Sequence, residues 1–121
     1  MLFRSEYVTG ATLKARGDDA AKFIAGEMLG LQHAVANKDE VIKATQEITG
    51  TKPDDPRPGF IYDLAMQQHS IGTDMPIPTD DLAWMNEELV KVGNISKPVD
   101  LGKVIDPKPR EGALKLIAQM H

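Results

Sequence analysis

A chain of 121 residues accommodates one domain, and at that length roughly two-thirds of the unfolded surface can be buried. Its 14 basic and 18 acidic side chains are interleaved and leave a net charge of −4, which argues against the clustered Lys/Arg footprint of a nucleic-acid binder. With no cysteine, disulfides, zinc–thiolate sites and thiol nucleophiles are excluded together, and with only 5% aromatic residues the core has to be aliphatic, built from Ala, Leu, Ile, Val and six Met.

Residues 2–14 are rich in β-branched and aromatic side chains (Phe3, Tyr7, Val8, Thr9, Thr12) and predict a strand, with Gly10 as a bulge or point of close backbone approach. Asp18 or Asp19 then caps a helix over about 19–36, whose apolar stripe is Ala20, Ile24, Met28, Leu31 and Val35, broadened by Phe23. Gly26 and Gly30 cost about 1 kcal/mol each against Ala inside a helix, so a closely approaching neighbour is expected there. Asn37 ends that helix and is expected to cap the next, 38–49, with Glu40 as capping-box partner and Val41, Ile42, Thr45 and Ile48 facing inward until Gly50 stops it.

The proline-rich stretch 51–58 reads as a surface connection. Pro58 then opens a helix to about residue 71, with Phe60, Ile61, Leu64, Ala65 and Gln68 at helical spacing and Gly72 as its end. After Pro76 and Pro78, Thr79 is expected to cap a helix over 79–92 that carries Asp80 and Asp81 at its positive end and a stripe of Leu82, Met85, Leu89 and Val92. Gly93 stops it. An extended crossing from Ile95 to Pro98, a short turn led by Asp100 and a terminal helix over 109–120 follow, the last with Ala113, Leu114, Ile117 and Ala118 inward. The sum is an α+β chain, predominantly helical, with one N-terminal strand and about five helices in a single domain.

Side chains with chemical potential have structural readings beside them. His33, His69 and His121 lack metal-ligand spacing, so surface or capping roles are expected and no metal site. Asp18–Asp19 and Asp80–Asp81 fall at helix starts, where capping explains them, and Asp54–Asp55 falls in the proline loop. The methionines at helical spacing read as core filler rather than as an adaptable groove. No nucleophile–base constellation appears, so no catalytic residue is expected. The one stretch offering hydroxyls, a carboxylate and a ring beside a glycine is Ser5 to Gly10, which makes Glu6, Tyr7 and Thr9 the candidate ligand contacts. No 18-residue apolar run is present, so no segment is long and apolar enough to cross a membrane as a helix.

One run is more specific than the rest. Gly93-Asn94-Ile95-Ser96-Lys97-Pro98-Val99-Asp100, following a Trp84-bearing helix and preceding a capping helix, resembles the C-terminal tail of periplasmic solute-binding proteins of the nitrate/sulfonate/taurine type. Lys14-Ala15-Arg16-Gly17-Asp18-Asp19-Ala20-Ala21-Lys22-Phe23 and Gly30-Leu31-Gln32-His33-Ala34-Val35-Ala36-Asn37-Lys38-Asp39-Glu40-Val41 continue the similarity in the family's order. The resemblance implies the C-terminal portion of a type II periplasmic-binding-protein fold, corresponding to the last third of a longer chain. It further implies a non-catalytic substrate-binding component of an ABC-type importer, periplasmic in location, with a small anion or organic solute as ligand and a transporter permease as partner. The Met1-to-Tyr7 start has no apolar run and does not read as the signal peptide that a whole member carries. The thiamine-pyrimidine synthases share that fold and are enzymes, but the cysteine-rich motif they use has no counterpart in a chain without cysteine.

The resemblance places Glu6, Tyr7 and Thr9 on the strand that returns beside the cleft between lobes. No cofactor is implied. The reading from another class is a stand-alone helical interaction or dimerisation module. Either way, an isolated chain is expected to form a homo-oligomer, with the 2–14 strand pairing or exchanging between copies.

Overall fold

The computed structural model describes residues 6–120, which form six helices: α1 (Gly10–Ala36), α2 (Lys38–Thr49), α3 (Arg57–Gln67), α4 (Thr79–Lys91), α5 (Leu101–Val104) and α6 (Lys108–Ala118). Helix takes 68% of the structure, and no strand occurs among the described residues. The expected strand over 2–14 is therefore corrected. Residues 6–9 are irregular and Gly10–Lys14 are the first turns of α1, while residues 2–5 lie outside the described residues. The physical reason is local. Thr9 is an N-cap whose hydroxyl accepts from the Thr12 backbone N–H at 3.1 Å, so the chain closes helical hydrogen bonds within itself. A lone strand would leave its backbone groups without partners.

The helix expected from 19 thus begins nine residues earlier, yet the sequence signal survives as a break. Arg16 has φ −137° and ψ 34°, outside the helical region, and α1 kinks there. Arg16 turns its guanidinium onto Asp19 at 2.9 Å, just where the new segment starts.

The core is the packing of α6 on α1. Ala21, Ala25 and Met28 of α1 meet Ala113 and Ile117 of α6, with Ile24, Leu29, Met75 and Leu116 packed around them. Small residues set the spacing: a Cβ placed on Gly112 would stand 3.0 Å from the Ala21 Cβ. Among the described residues, only Met28 is a large side chain fully removed from solvent. The α1 stripe is rotated by about one residue from the expected Ala20–Val35 line, since the close approach of α6 selects Ala21 and Ala25 over Ala20, and Phe23 is left 58% exposed. Among the described residues, a Cβ added at Gly26 or Gly30 would meet nothing within 4 Å, so no described neighbour makes the close approach expected there.

Two further units hang on this pair. Helices α2 and α3 form a hairpin in which Lys38 Nζ donates to Asp63 at 2.6 and 2.8 Å, and the Tyr62 hydroxyl donates to the Val35 carbonyl at 2.6 Å. Asn37 does not make the expected capping box. Its amide donates back to the His33 carbonyl at 2.7 Å, closing α1, while Glu40 bonds the His33 ring at 2.7 Å. Helix α3 ends at Gln67 rather than near 71, with His69 at φ 48° breaking the chain direction before Gly72. The following loop is tied to α6 by Arg110, whose Nε donates to the Asp74 and Met75 carbonyls and whose Nη2 reaches the Asp74 carboxylate, each at 2.9 Å.

Helix α4 starts at Thr79 as expected, but Thr79 is its first residue and makes no side-chain cap. Gly93, at φ 78°, ends it in a left-handed turn with Asn94 N–H returning to the Leu89 carbonyl at 2.9 Å. The tail is then held to α4 by Asn86, which donates to the Val99 carbonyl at 2.7 Å and accepts from the Val99 N–H at 2.9 Å. That side-chain amide pairs with the extended backbone as a neighbouring strand would. Asp100 caps α5 by accepting from Gly102 N–H at 3.1 Å, as its position predicts.

Candidate functional site

The three candidate ligand contacts do not converge. Tyr7 is 90% exposed, with its ring in solvent. Thr9 spends its hydroxyl on capping, and shares it with the Thr12 hydroxyl at 2.9 Å. Glu6 meets another carboxyl: burial first, then the Glu6 charge and hydrogen bond, push Glu27 above the usual carboxylate range. Glu6, Tyr7 and Thr9 therefore form no pocket together. Two open depressions, about 430 Å³ along Leu13–Lys22 at the α1 kink and about 440 Å³ around Ala36–Glu40, do not include these residues.

The other titratable groups resolve into structural pairs. Asp55 accepts from the Arg57 backbone N–H and from its guanidinium at 2.9–3.0 Å, and these bonds hold its carboxyl down to about 2. Glu88 and Lys91 pair at 2.6 Å on α4, which raises the lysine. Asp80 and Asp81 sit in the first turn of α4, where the helix dipole favours them. His33 is engaged by Glu40 and Asn37, and His69 lies exposed just beyond α3; His121 lies outside the described residues. No group of three His, Cys, Asp or Glu able to hold a metal occurs among the described residues.

What the surface does offer is uncovered apolar side chains. The inward face of α3 is Pro58, Gly59, Tyr62, Ala65 and Met66; Phe60 and Ile61 face out at 67% and 63% exposure, with Leu64 beside them. On α4, Leu82, Met85 and Leu89 are half-buried as the stripe predicts, but Val92, expected on the same stripe, is 65% exposed at the helix end, and Trp84 is 63% exposed. Accessible surface makes the same point for the whole chain. It totals 9538 Å², whereas a compact monomer of 13.2 kDa exposes about 6,400 Å². About half of the unfolded chain's surface is buried instead of the roughly two-thirds usual at this size.

No protein-family model matches the sequence, and no curated protein or solved structure matches it.

Helical period marks Phe60, Ile61 and Leu64 as apolar positions of α3, and all three face out. Period alone identifies a stripe without saying whether a neighbour exists to cover it. It also misses Asn86 and Arg110, the two side chains that bind loops to helices. The signal available for Asn86 is its place beside Leu82, Met85 and Leu89 on a face that is otherwise apolar.

Proposed function

We propose that this chain is a non-catalytic helical bracing element of a solute-binding protein, resembling the C-terminal portion of the nitrate/sulfonate/taurine-type components that deliver ligands to ABC-type importers. The observation that carries the proposal is the accessible surface, about 3,100 Å² above that of a compact monomer of this mass. Phe60, Ile61 and Trp84 are among the apolar side chains left open on the helices, and apolar helix faces left open are faces that another stretch of polypeptide covers. In a type II periplasmic-binding fold such helices lie against a sheet supplied by the rest of the lobe. The order of elements fits that role: a Trp-bearing helix, a glycine stop, an extended crossing clasped by Asn86, an Asp-capped turn and a final helix. Glu6, Tyr7 and Thr9 would contribute at most the margin of a ligand cleft whose other contacts come from elsewhere. The location of such a protein is the periplasm, and its partners are a small anion or organic solute and a transporter permease.

Calorimetry with nitrate, taurine and alkylsulfonates tests this reading on two samples, the 121-residue chain and any longer reading frame that contains it. The reading predicts saturable binding by the longer protein and none by the chain alone. Tight binding by the chain alone, or the absence of any bound solute in the longer protein, would overturn it.

The uncovered α3 face favours the second reading, a helical dimerisation module without a small-molecule ligand. The two readings part on whether solute or a second copy is bound.

A further inference from the structure

Helix α4 presents the chain's one tryptophan to solvent, and the charges around that ring are mostly of one sign. Trp84 is 63% exposed. Asp80 and Asp81 lie one turn before it and Glu87 and Glu88 one turn after, at the three- and four-residue steps that share a helical face. Helical side chains lean towards the N-terminus, which directs the two glutamates back over the turn that holds the ring. Glu88 is engaged by Lys91 at 2.6 Å. Among the described residues, Asp80, Asp81 and Glu87 have no cationic partner. A lysine does lie over a ring elsewhere, Lys38 over Tyr62 at 5.9 Å, but among the described residues no cation lies over Trp84.

This charge frame selects the occupant. A purely apolar partner would take water from three unpaired carboxylates and return nothing, whereas a cation pairs with them as it covers the ring. Tryptophan is also the ring that attracts a cation most strongly. We propose that the Trp84 face of α4 docks an arginine-bearing basic segment of a partner protein. One guanidinium stacks on the indole while its N–H groups donate to the carboxylates of Asp80, Asp81 or Glu87. Arginine suits the site better than lysine because its planar, weakly hydrated head can stack and donate in two directions at once. A second copy of this chain is a poor occupant, since it brings a net charge of −4 to a face already acidic. The inference rests on the exposure and charge of α4 and stands apart from the solute-binding reading.

Trp84 reports its own occupancy, because the chain has no other tryptophan to fluoresce. Titration with an acetylated, amidated hexapeptide of alternating Arg and Ala should change the emission saturably, with Kd below about 1 mM. Added salt should weaken that binding, and the matching hexapeptide of Glu and Ala should leave the emission unchanged. The double change Asp80→Asn and Glu87→Gln should weaken binding of the Arg peptide about tenfold, with helical circular dichroism unchanged. Asp39→Asn with Glu47→Gln removes the same charge from a first-turn aspartate and an exposed glutamate of α2. That control should stay within about twofold of the wild-type affinity, because charges so placed act on α4 only through screened solvent. The lack of any saturable change with the Arg peptide would overturn the proposal. Equal affinities in the two double variants would overturn it too, since the peptide would then be answering to net charge and not to this face.

Discussion

Met28→Ala is the most informative single change in the core. Met28 is fully buried and sits between Ala25, Ala113 and Ile117, where α1 and α6 meet. Truncation removes three side-chain heavy atoms, and Met→Ala at a buried site costs about 2–5 kcal/mol, depending on how far the surroundings collapse. Collapse is blocked here. Gly112 already lies against Ala21, with room for no more than a strained Cβ at 3.0 Å, so the helices cannot move closer to fill the gap. The expected loss is therefore in the upper part of the range, about 3–4 kcal/mol. For a domain of this size each kcal/mol lowers Tm by about 4 °C, so the midpoint should fall by about 12–16 °C. Urea unfolding followed by far-ultraviolet circular dichroism measures the loss, with Met75→Ala, at the half-buried edge of the cluster, as a milder comparison. A loss below about 1 kcal/mol would refute the placement of the core at the α1–α6 junction.

Gly26→Ala and Gly30→Ala should each stabilise the chain by about 0.4–1 kcal/mol in urea unfolding, because both glycines lie inside α1 with open space around them. Asn86→Ala should cost about 1–2 kcal/mol and speed amide exchange at Val99, since both bonds of the clasp are lost together. Asp55 is depressed in the folded state, so its stabilisation is fully present above the ordinary carboxylate value of about 3.9 and disappears as pH falls towards about 2. The difference in urea midpoint between wild type and Asp55→Asn should shrink across that window. Glu27 is raised, so folding favours its protonated form and its carboxylate opposes folding at neutral pH. Glu27→Gln should raise the midpoint at about pH 7 and leave it unchanged at about pH 3, where the carboxyl is protonated in both states.

Much of the helical pattern is legible in the sequence because its signals are local. Gly50 and Gly93 stop helices with positive φ, Asp100 caps α5, and Pro58 and Pro109 sit in the first turns of α3 and α6. The pattern misleads where the outcome depends on a partner. Residues 6–14 have strand-like composition, but a strand is stable only beside another, and Thr9 offers a capped helix instead. Ala21 and Ala25 displace Ala20 and Ile24 from the centre of the core because α6 approaches closely, a fact about the neighbour rather than about α1. The candidate site depends on a partner in the same way: Glu6, Tyr7 and Thr9 lie on a short irregular lead and a helix cap, and their residue types alone do not say what they face.

Hydrogen exchange, read helix by helix at increasing protein concentration, tests the uncovered state of this chain most directly. Backbone amides of α1 and α6 should be protected at every concentration, because their packing is internal to one copy. Those of α3 should gain protection as concentration rises, and those of α4, whose Trp84 face stays open, should exchange quickly throughout. Uniform strong protection of all six helices in dilute solution would contradict this, since it would mean that one copy of the chain already closes its own surface.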